Sequence, residues 1–389
     1  MSALESQLSY LDQLDEPCHE QVDVLNQLAR SLADTDFARS QVLSKRALNL
    51  SGQLHYPQGE ACALTLLAWL NLIEGRADLA LTRALNAEAV ARVARDVGLE
   101  GHALYMVAVI HDHVGNFNAA LQTRYKMIVV AHEANDQSLE GNCLMAIAVQ
   151  HSRRDEHKKA LNYYMQALAL YRKINDESER HVLALNNVAS ALAETGDVLL
   201  ALQYAKKALA KCNSQNARVH TLILHTFGNI HAAMGQLDES LAYYTHAITL
   251  NEQAAQAGYT TDREFEATVQ LDMAKVQRAM SQHTLAFVAL QRTLEIAQAI
   301  DAKPLLAKTH DQLSKAYHEV GNVALALVHA EQREAVRASF RQITLEQHEK
   351  VTRVMAILQA SRKHVHTEQC QAAQEWLWQS CLHGNAPTC

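Results

Sequence analysis

Histidine and cysteine side chains near the carboxyl end of the chain are the residues best suited to bind a metal. Six of them occur between positions 364 and 389, namely His364, His366, Cys370, Cys381, His383 and Cys389. Zinc prefers thiolate and imidazole ligands, but its structural sites usually present close pairs with about two to four residues between them. Only the first three of the six approach that spacing. We therefore predict no metal and no cofactor, with a metal- or histidine-dependent enzyme as the minor alternative.

Other catalytic chemistry has no signature in this chain. No nucleophile elbow, phosphate-binding glycine loop, CxxC pair or HExxH motif is present. His220, His225 and His231 follow one another at steps of five and six residues, which do not place them on one face of a helix. We predict no catalytic residue.

The composition indicates a helical protein with a modest negative charge. Among 389 residues there are 13 Gly and 4 Pro, and apolar residues make up 49%, which suits helices better than strands. The formal net charge is -7 and the 35 Lys and Arg residues are spread along the chain, so we predict no nucleic-acid partner. No apolar run approaches the ~18 residues of a membrane helix. Seven cysteines without regular spacing favour free thiols in a cytoplasmic protein.

The helices that must position any binding residue repeat along the chain. One complete unit is residues 182–213, two amphipathic helices around Gly196. A first column of small residues recurs mostly every 40 positions, at Ser40, Ala80, Ala120, Ala160, Ala201, Ser240, Ala286 and Ala326. A second column lies twelve residues earlier, at Ala68, Ala108, Ala148, Ala189, Gly228, Ala274 and Ser314. Turns fall at Gly75, Gly115, Asp155, Gly196, Gly235, Ser281 and Gly321. Three columns in phase predict an array of stacked helical hairpins.

These columns resemble the tetratricopeptide repeat, whose helix pairs carry small residues at the eighth and twentieth positions and glycine near the fifteenth. The resemblance covers residues 21–340, although Leu mostly replaces the family's Trp and the Pro that ends its second helix is missing. It implies an all-α fold, a right-handed α-solenoid (superhelix) of about eight hairpins. A capping helix at 1–20 precedes the array, and a C-terminal helix and tail at 341–389 follow it. The long unit is similar to that of arrays in bacterial signalling proteins.

In that family the first helix of each pair lines a concave groove that binds the partner. The equivalent positions here are Trp69, Tyr105, Val109, Asp112, His113, Met145, Arg153, Asn186, Ser190, His225, Asn229, Lys275, Arg278, Lys308 and Lys315. The cations of the last two units favour an acidic partner at that end, and a solvated surface is an equal alternative. The carboxylate clamp of chaperone-binding members is absent, because His225 and Asp272 occupy two of its positions.

The predicted function is a non-catalytic receptor for a protein or peptide, acting as a sensor or adaptor in intracellular regulation. Trp69 and Tyr105 are expected to anchor the partner, and Asn186 and Asn229 to hydrogen-bond its backbone. A change in curvature between the units could transmit occupancy to the C-terminal helix.

Two further segments carry open alternatives. The helix around 341–365 presents Gln347, Val351 and Val354 at four- and three-residue steps, which suits either a cap on the last unit or a coiled-coil dimer. A structural protein that dimerises through this helix and the Trp376 segment is therefore the second functional alternative. Residues 257–264 interrupt the repeat and are predicted to form a surface insertion, with a hinge or a binding loop as the alternative.

Overall fold

The computed structural model describes the backbone of residues 3–11, 17–33, 36–176, 178–213, 216–256 and 263–382; in the last helix it describes the side chains as far as Val354, and that of Ala356. Within these ranges the regular elements are all α-helices. They are α1 (Ala3–Leu11), α2 (His19–Leu32), α3 (Phe37–Gln53), α4 (Pro57–Ile73), α5 (Ala77–Val93), α6 (Val97–His113), α7 (Phe117–Glu133), α8 (Gln137–Arg153), α9 (His157–Lys173), α10 (Glu179–Thr195), α11 (Val198–Lys211), α12 (Ala217–Ala233), α13 (Leu237–Gln256), α14 (Arg263–Ala279), α15 (His283–Ala299), α16 (Lys303–Glu319) and α17 (Val323–Leu382).

The helices fall into two compact units. The first contains residues 1–123 and 344–389, and the second contains residues 124–343. In the first unit α2 pairs with α3 and α4 with α5. In the second unit the pairs are α8 with α9, α10 with α11, α12 with α13, and α14 with α15. The all-α array of tetratricopeptide-like hairpins predicted from the three columns is confirmed.

The small residues of the columns lie where the two helices of a hairpin touch. Ala160 and Ala201 of the first column are fully buried. Where serine replaces alanine, its hydroxyl donates a hydrogen bond to a carbonyl of the facing helix: Ser40 Oγ lies 2.7 Å from the Ala29 carbonyl oxygen, and Ser240 Oγ lies 2.8 Å from that of Gly228. A serine hydroxyl reaches a neighbouring backbone only when the helices are close. The columns therefore record close helix contacts.

The turns inside the hairpins use the left-handed backbone conformation. Gly75 has φ 72° and Gly196 has φ 93°, and the two replacements for glycine, Asp155 and Ser281, adopt φ 57° and 59°. Positive φ costs glycine no steric strain, and aspartate tolerates it better than most residues. The turns between successive hairpins also contain positive φ, at His55, Arg95, Asn135, Asn175 and Asp301. No glycine marks these second turns in the sequence.

The helix predicted to follow the array is continuous with its last hairpin. α17 is a single helix of 60 residues, which passes Phe340 without a break. From Thr344 onward it belongs to the first unit, where Gln347 Nε2 donates to the carbonyl oxygen of Gly75 at 3.0 Å. Val351 is 1% exposed and packs into the apolar cluster of α4, α5 and α6.

The contact face of this helix is the stripe of Gln347, Val351 and Val354 identified in the sequence. A cap on the last hairpin or a pair with a second chain was expected for it. It packs instead on helices that lie far away in the chain, since Gln347 and Gly75 are 272 positions apart. Sequence periodicity shows which side of a helix is apolar and does not show what covers it.

Residues 1–20, for which a capping helix is predicted, contain α1 and the beginning of α2. α1 places Leu8 in the cluster formed by α2, α3 and α4, where Leu8 is 8% exposed. The interruption predicted at 257–264 lies largely outside the described residues, since α13 ends at Gln256 and α14 begins at Arg263. The side chains of His364, Cys370 and Trp376 also lie outside them.

Candidate functional site

The predicted groove residues lie on the first helices of the hairpins. We call the side of these helices that carries them the A face; α4 and α6 form it in the first unit, and α8, α10, α12, α14 and α16 in the second. On α4, α6, α8, α10, α12 and α14 the second-column residue is buried, as Ala108 and Ala189 show with 0% exposure. Because successive residues of a helix are about 100° apart, the next residue points away from that buried side. The register of the hairpin thus sets the direction of the candidate side chains.

The A face of the first unit exposes aromatic rings. Trp69 on α4 and Tyr105 on α6 are 37% and 49% exposed. Val109 is half-buried one turn after Tyr105, and His113 is exposed near the end of α6. Asp112 beside it is half-buried and already engaged with other groups. Exposed Trp and Tyr combine apolar area with a polar tip, and such rings are common anchors of protein interfaces.

In the second unit, Asn186 on α10 is buried with an unmet acceptor. Asn186 is 6% exposed, and its Oδ1 receives no hydrogen bond from the described residues. Leaving a buried acceptor unsatisfied costs about 1–3 kcal/mol, and more than about 90% of such groups in folded proteins are paired. Ser190 is half-buried one turn later, while α8 contributes the half-buried Met145 and the exposed Arg153. A donor from a bound molecule would satisfy Asn186.

Asn229 on α12 is oriented by a buried tyrosine of the next helix. The Tyr244 hydroxyl donates to Asn229 Oδ1 at 2.6 Å, so the N–H groups of Nδ2 are the part of this carboxamide that Tyr244 does not use. Tyr244 is 2% exposed, and burial raises the pKa of its hydroxyl. The ring fits because position 228 is glycine: a Cβ there would lie 2.3 Å from Tyr244 Cε1.

A charged network lies beside this tyrosine. His225 Nε2 is 2.9 Å from Asp272 Oδ2, and Lys275 Nζ donates to Asp272 Oδ1 at 2.6 Å. Burial alone would raise the pKa of Asp272, but the hydrogen bonds from His225 and Lys275 and their electrostatic attraction lower it to about 2. The His225 ring also meets Phe265 edge-on, with ring centroids 5.6 Å apart. Asp272 is therefore a fixed negative charge between α12 and α14.

The cations at the far end of this A face are mostly paired within the protein. Arg278 donates to both carboxylate oxygens of Glu319, and Lys315 lies 2.6 Å from Asp311. The hydrogen bond and charge of Arg278 lower the pKa of Glu319. Lys275 is bound to Asp272 as described above, and Lys308 is exposed. The positive end predicted from the sequence is thus largely neutralised by neighbouring carboxylates.

Position in the first helix predicts the A face but misses the residues that support it from other helices. Tyr244 lies on α13 and has no place in the positional pattern. The sequence nevertheless contains a sign of Tyr244: in the second column, Gly228 stands where most units have alanine. Gly141 on α8 shows the same relation, since a Cβ there would lie 2.7 Å from Tyr171. An interior glycine facing a tyrosine therefore marks a ring packed against a helix backbone.

Metal and membrane sites were also sought in the described ranges. Among the side chains that the structure describes, no group of three or more His, Cys, Asp or Glu is arranged to hold a metal. The histidines and cysteines from His364 onward lie outside that part of the chain. None of the described helices is both long and apolar enough to span a bilayer.

Comparison with protein families and curated proteins gives one match. A tetratricopeptide-repeat model matches residues 223–253, which contain most of α12 and α13 and thus the pair Asn229 and Tyr244. No curated protein matches the sequence.

Solved structures resemble the chain over most of its length. A Rap conjugation gene regulator of the plasmid pLS20, in complex with the Phr* peptide, is 13% identical with a TM-score of 0.58; the match covers 88% of this chain and 95% of that one. Aspartyl phosphate phosphatase F from Bacillus subtilis is 14% identical, with a TM-score of 0.60 and coverage of 86% and 88%. The quorum sensor NprR from B. thuringiensis, in its apo form, is 13% identical, with a TM-score of 0.59 and coverage of 86% and 92%. At these identities the likeness shows a shared fold.

Proposed function

We propose that this chain, which is built of tetratricopeptide-like hairpins and matches a tetratricopeptide-repeat model over residues 223–253, is a non-catalytic receptor that binds a peptide or an extended protein segment on its A face. In this proposal it acts as a sensor or adaptor in cytoplasmic regulation. The main contacts are made by Asn186 and Asn229 in the second unit.

The observation that carries the proposal is the buried Oδ1 of Asn186, which receives no hydrogen bond from the described residues. α10 and α12 pack against each other, and on α12 the Nδ2 group of Asn229 offers donors while its Oδ1 is held by Tyr244. The carboxamide of Asn186, which needs a hydrogen-bond donor, therefore lies on the helix adjacent to that of Asn229, which offers donors. A peptide backbone carries one N–H and one C=O per residue, and it supplies both partners.

The proteins of similar structure support a peptide as the ligand. One is a regulator in complex with the Phr* peptide, and another is a quorum sensor. These proteins share the fold with this chain over more than four-fifths of its length. A third is an aspartyl phosphate phosphatase, so the fold is compatible with proteins of both kinds.

We propose that this chain does not share the phosphatase activity. On the A face of the second unit, His225 Nε2 lies 2.9 Å from Asp272, Lys275 donates to the other oxygen of that carboxylate, and the His225 ring packs against Phe265, so these groups are engaged with one another. The direct test is the hydrolysis of acetyl phosphate by the purified protein. Steady phosphate release above the buffer rate would show that the chain is an enzyme.

Two finer features of the partner remain part of the proposal. An acidic residue of the ligand near α16 would meet Lys308 first, because Arg278 and Lys315 are already paired with carboxylates. A homodimer through α17 would have to use a side of the helix other than Gln347 and Val351, or displace that stripe from α4–α6.

The proposal is tested by selecting peptides from a random library displayed on phage with the full-length protein, then measuring the affinity of a selected synthetic peptide by calorimetry. Replacing Asn186 or Asn229 by alanine should weaken binding at least tenfold each, because each change removes hydrogen bonds to a desolvated backbone. Asn162→Ala on the exposed side of α9 is the matched control and should leave the affinity unchanged.

The same experiment can contradict the proposal. If Asn186→Ala and Asn229→Ala bind the selected peptide as tightly as the wild type, with helix content unchanged by circular dichroism, the A face of the second unit is not the binding surface. If no peptide is enriched over the display background, the ligand is not a peptide.

A further inference from the structure

A second candidate binding site lies in the first unit, away from Asn186 and Asn229. A cavity of about 290 Å³ opens between α2, α4 and α6. This volume is at the lower end of the range for ligand pockets, roughly 300–1,000 Å³. The cavity is therefore suited to a ligand of a few residues at most.

One wall of the cavity is a polar stripe along α2. Asp23, Asn26 and Arg30 line it at spacings of three and four residues, which places them on one face of the helix. Seven residues separate the carboxylate of Asp23 from the guanidinium of Arg30, a rise of about 10.5 Å along the axis. The wall thus has a negative end, an amide in the middle and a positive end.

At the negative end of the wall, Asp23 and Asn26 provide hydrogen-bond acceptors. The Tyr56 hydroxyl donates to Asp23 Oδ1 at 3.1 Å. Burial, together with the hydrogen bond and charge of Asp23, raises the pKa of Tyr56 to about 12, so the tyrosine remains a donor. Asn26 Nδ2 donates to the Gly59 carbonyl oxygen at 3.0 Å, and its buried Oδ1 receives no hydrogen bond from the residues that the structure describes. A carboxylate and an unmet amide oxygen side by side suit a group with several N–H donors, such as an ammonium.

The positive end has a cation that the protein does not pair. Arg30 forms no ion pair within the described part of the chain, in contrast to Arg39, which lies 2.7 Å from Glu5. The facing wall is formed by Leu66, Leu99 and His102 and by Cys62, whose thiol stays protonated because burial raises its pKa. A guanidinium presents a fork of donors that matches a carboxylate.

From these observations we propose that the cavity binds a short peptide of two or three residues with both termini free. Its ammonium group lies at Asp23 and Asn26, its carboxylate at Arg30, and an apolar side chain lies against Leu66 and Leu99. An extended chain spans about 3.3–3.6 Å per residue, so three residues cover about 10 Å and match the distance along α2. The site is formed by the first helices of three hairpins of the first unit, so it rests on the function proposed above, but it uses none of the residues of the second unit.

The test is calorimetric titration of the full-length protein with the tripeptide Ala-Leu-Ala and with its N-acetylated and C-amidated forms. The free tripeptide should bind, and each blocked form should bind at least tenfold more weakly, because each loses one charged group. Arg30→Gln should weaken the free tripeptide at least tenfold and leave the C-amide unaffected. Asp23→Asn should weaken the free tripeptide at least tenfold and leave the N-acetylated form unaffected. Arg95→Gln, at an exposed arginine between α5 and α6, is the control and should change nothing.

Three results would overturn this site. The first is no heat of binding for any tripeptide at concentrations up to about 10 mM, which corresponds to negligible affinity. The second is equal binding of free and blocked forms, which removes the role of the two charges. The third is loss of tripeptide binding in Asn186→Ala rather than in Arg30→Gln, which would place the tripeptide on the second unit. Circular dichroism of each variant excludes unfolding as the cause.

Discussion

Replacing Asp272 by asparagine tests the charged network on the A face of the second unit. The substitution keeps the shape of the side chain and removes the charge that holds His225 and Lys275. The pKa of Asp272 falls from 3.8 to about 2 in the folded protein. With about 1.36 kcal/mol per pKa unit, the ionised carboxylate contributes about 2 kcal/mol to stability at pH 7.

The pH dependence of this contribution has a definite sign. Since the folded-state pKa lies below the unfolded value, the folded form gains stability only where the carboxylate is ionised. The contribution is complete above about pH 5, falls to roughly half at pH 3, and vanishes below about pH 2. The difference between the wild type and Asp272→Asn should shrink over the same range.

The assay is amide hydrogen exchange in peptides from α12 and α14, because stacked repeats need not unfold in one step. At pH 7, Asp272→Asn should lower the local opening free energy of these helices by about 2 kcal/mol. The exposed Asp238→Asn on α13 is the control and should change it by less than about 0.5 kcal/mol. Urea unfolding of both variants at pH 7, 5 and 3 gives the pH series. A change below about 0.5 kcal/mol that does not depend on pH would show that Asp272 is solvated like a surface pair, and would refute the argument.

Three other changes test the packing of the array. Val351→Ala removes two methyl groups that are 1% exposed, so it should cost about 1.5–2.5 kcal/mol and raise hydrogen exchange in α4–α6. Gly228→Ala places a Cβ 2.3 Å from the Tyr244 ring and should lower the unfolding free energy by about 1–3 kcal/mol, as read from urea unfolding. Burial lowers the pKa of His310, aided by the charge of His329, so the unfolded chain takes up the proton first. Stability should therefore fall as the pH drops below about 6.5. The urea midpoint should decrease less steeply with falling pH in His310→Gln than in the wild type.

Each of these predictions has a matched control. Val93→Ala, at 83% exposure, should change stability by less than about 0.5 kcal/mol; an equal loss in both valines would mean that α17 does not pack on α4–α6. Gly52→Ala meets no atom within 4 Å and should stabilise α3 by about 0.5–1 kcal/mol, so a gain in Gly228→Ala as well would contradict the contact with Tyr244. The exposed His132→Gln should keep the slope of the wild type, and an unchanged slope in His310→Gln would locate the pH effect elsewhere.

The helical hairpins were predictable because each turn and each close contact needs a particular residue type. Gly196 and Asp155 mark turns that require positive φ, and Ala160 and Ala201 mark backbones in contact. The left-handed turns between hairpins were not predicted, since residues such as Arg95 carry no signal for that conformation. Their φ values follow from how one hairpin is joined to the next.

The positions of the A-face residues were predictable from the sequence, but whether each is already paired within the protein was not. The columns place Asn186 and Asn229 on the same side of successive first helices, because the register of a helix fixes the direction of each side chain. Whether such a group is free to bind depends on its neighbours in space. Lys275 and Arg278 look like a cationic patch in the sequence and are paired with carboxylates in the fold. Asn186 keeps its unmet oxygen, which no pattern of residues could reveal.

The sequence by itself determined the unit, its length and the side of each helix that packs inward, since these depend on local periodicity and on residues a few turns apart. Only the tertiary structure decided which partner each exposed group meets. Val351 packs against α4–α6, and Gln347 donates a hydrogen bond to Gly75, which lies 272 positions away in the sequence. The cavity beside Arg30 is formed by three helices from three hairpins. Contacts of this kind depend on the shape of the assembled surfaces, which sequence spacing does not encode.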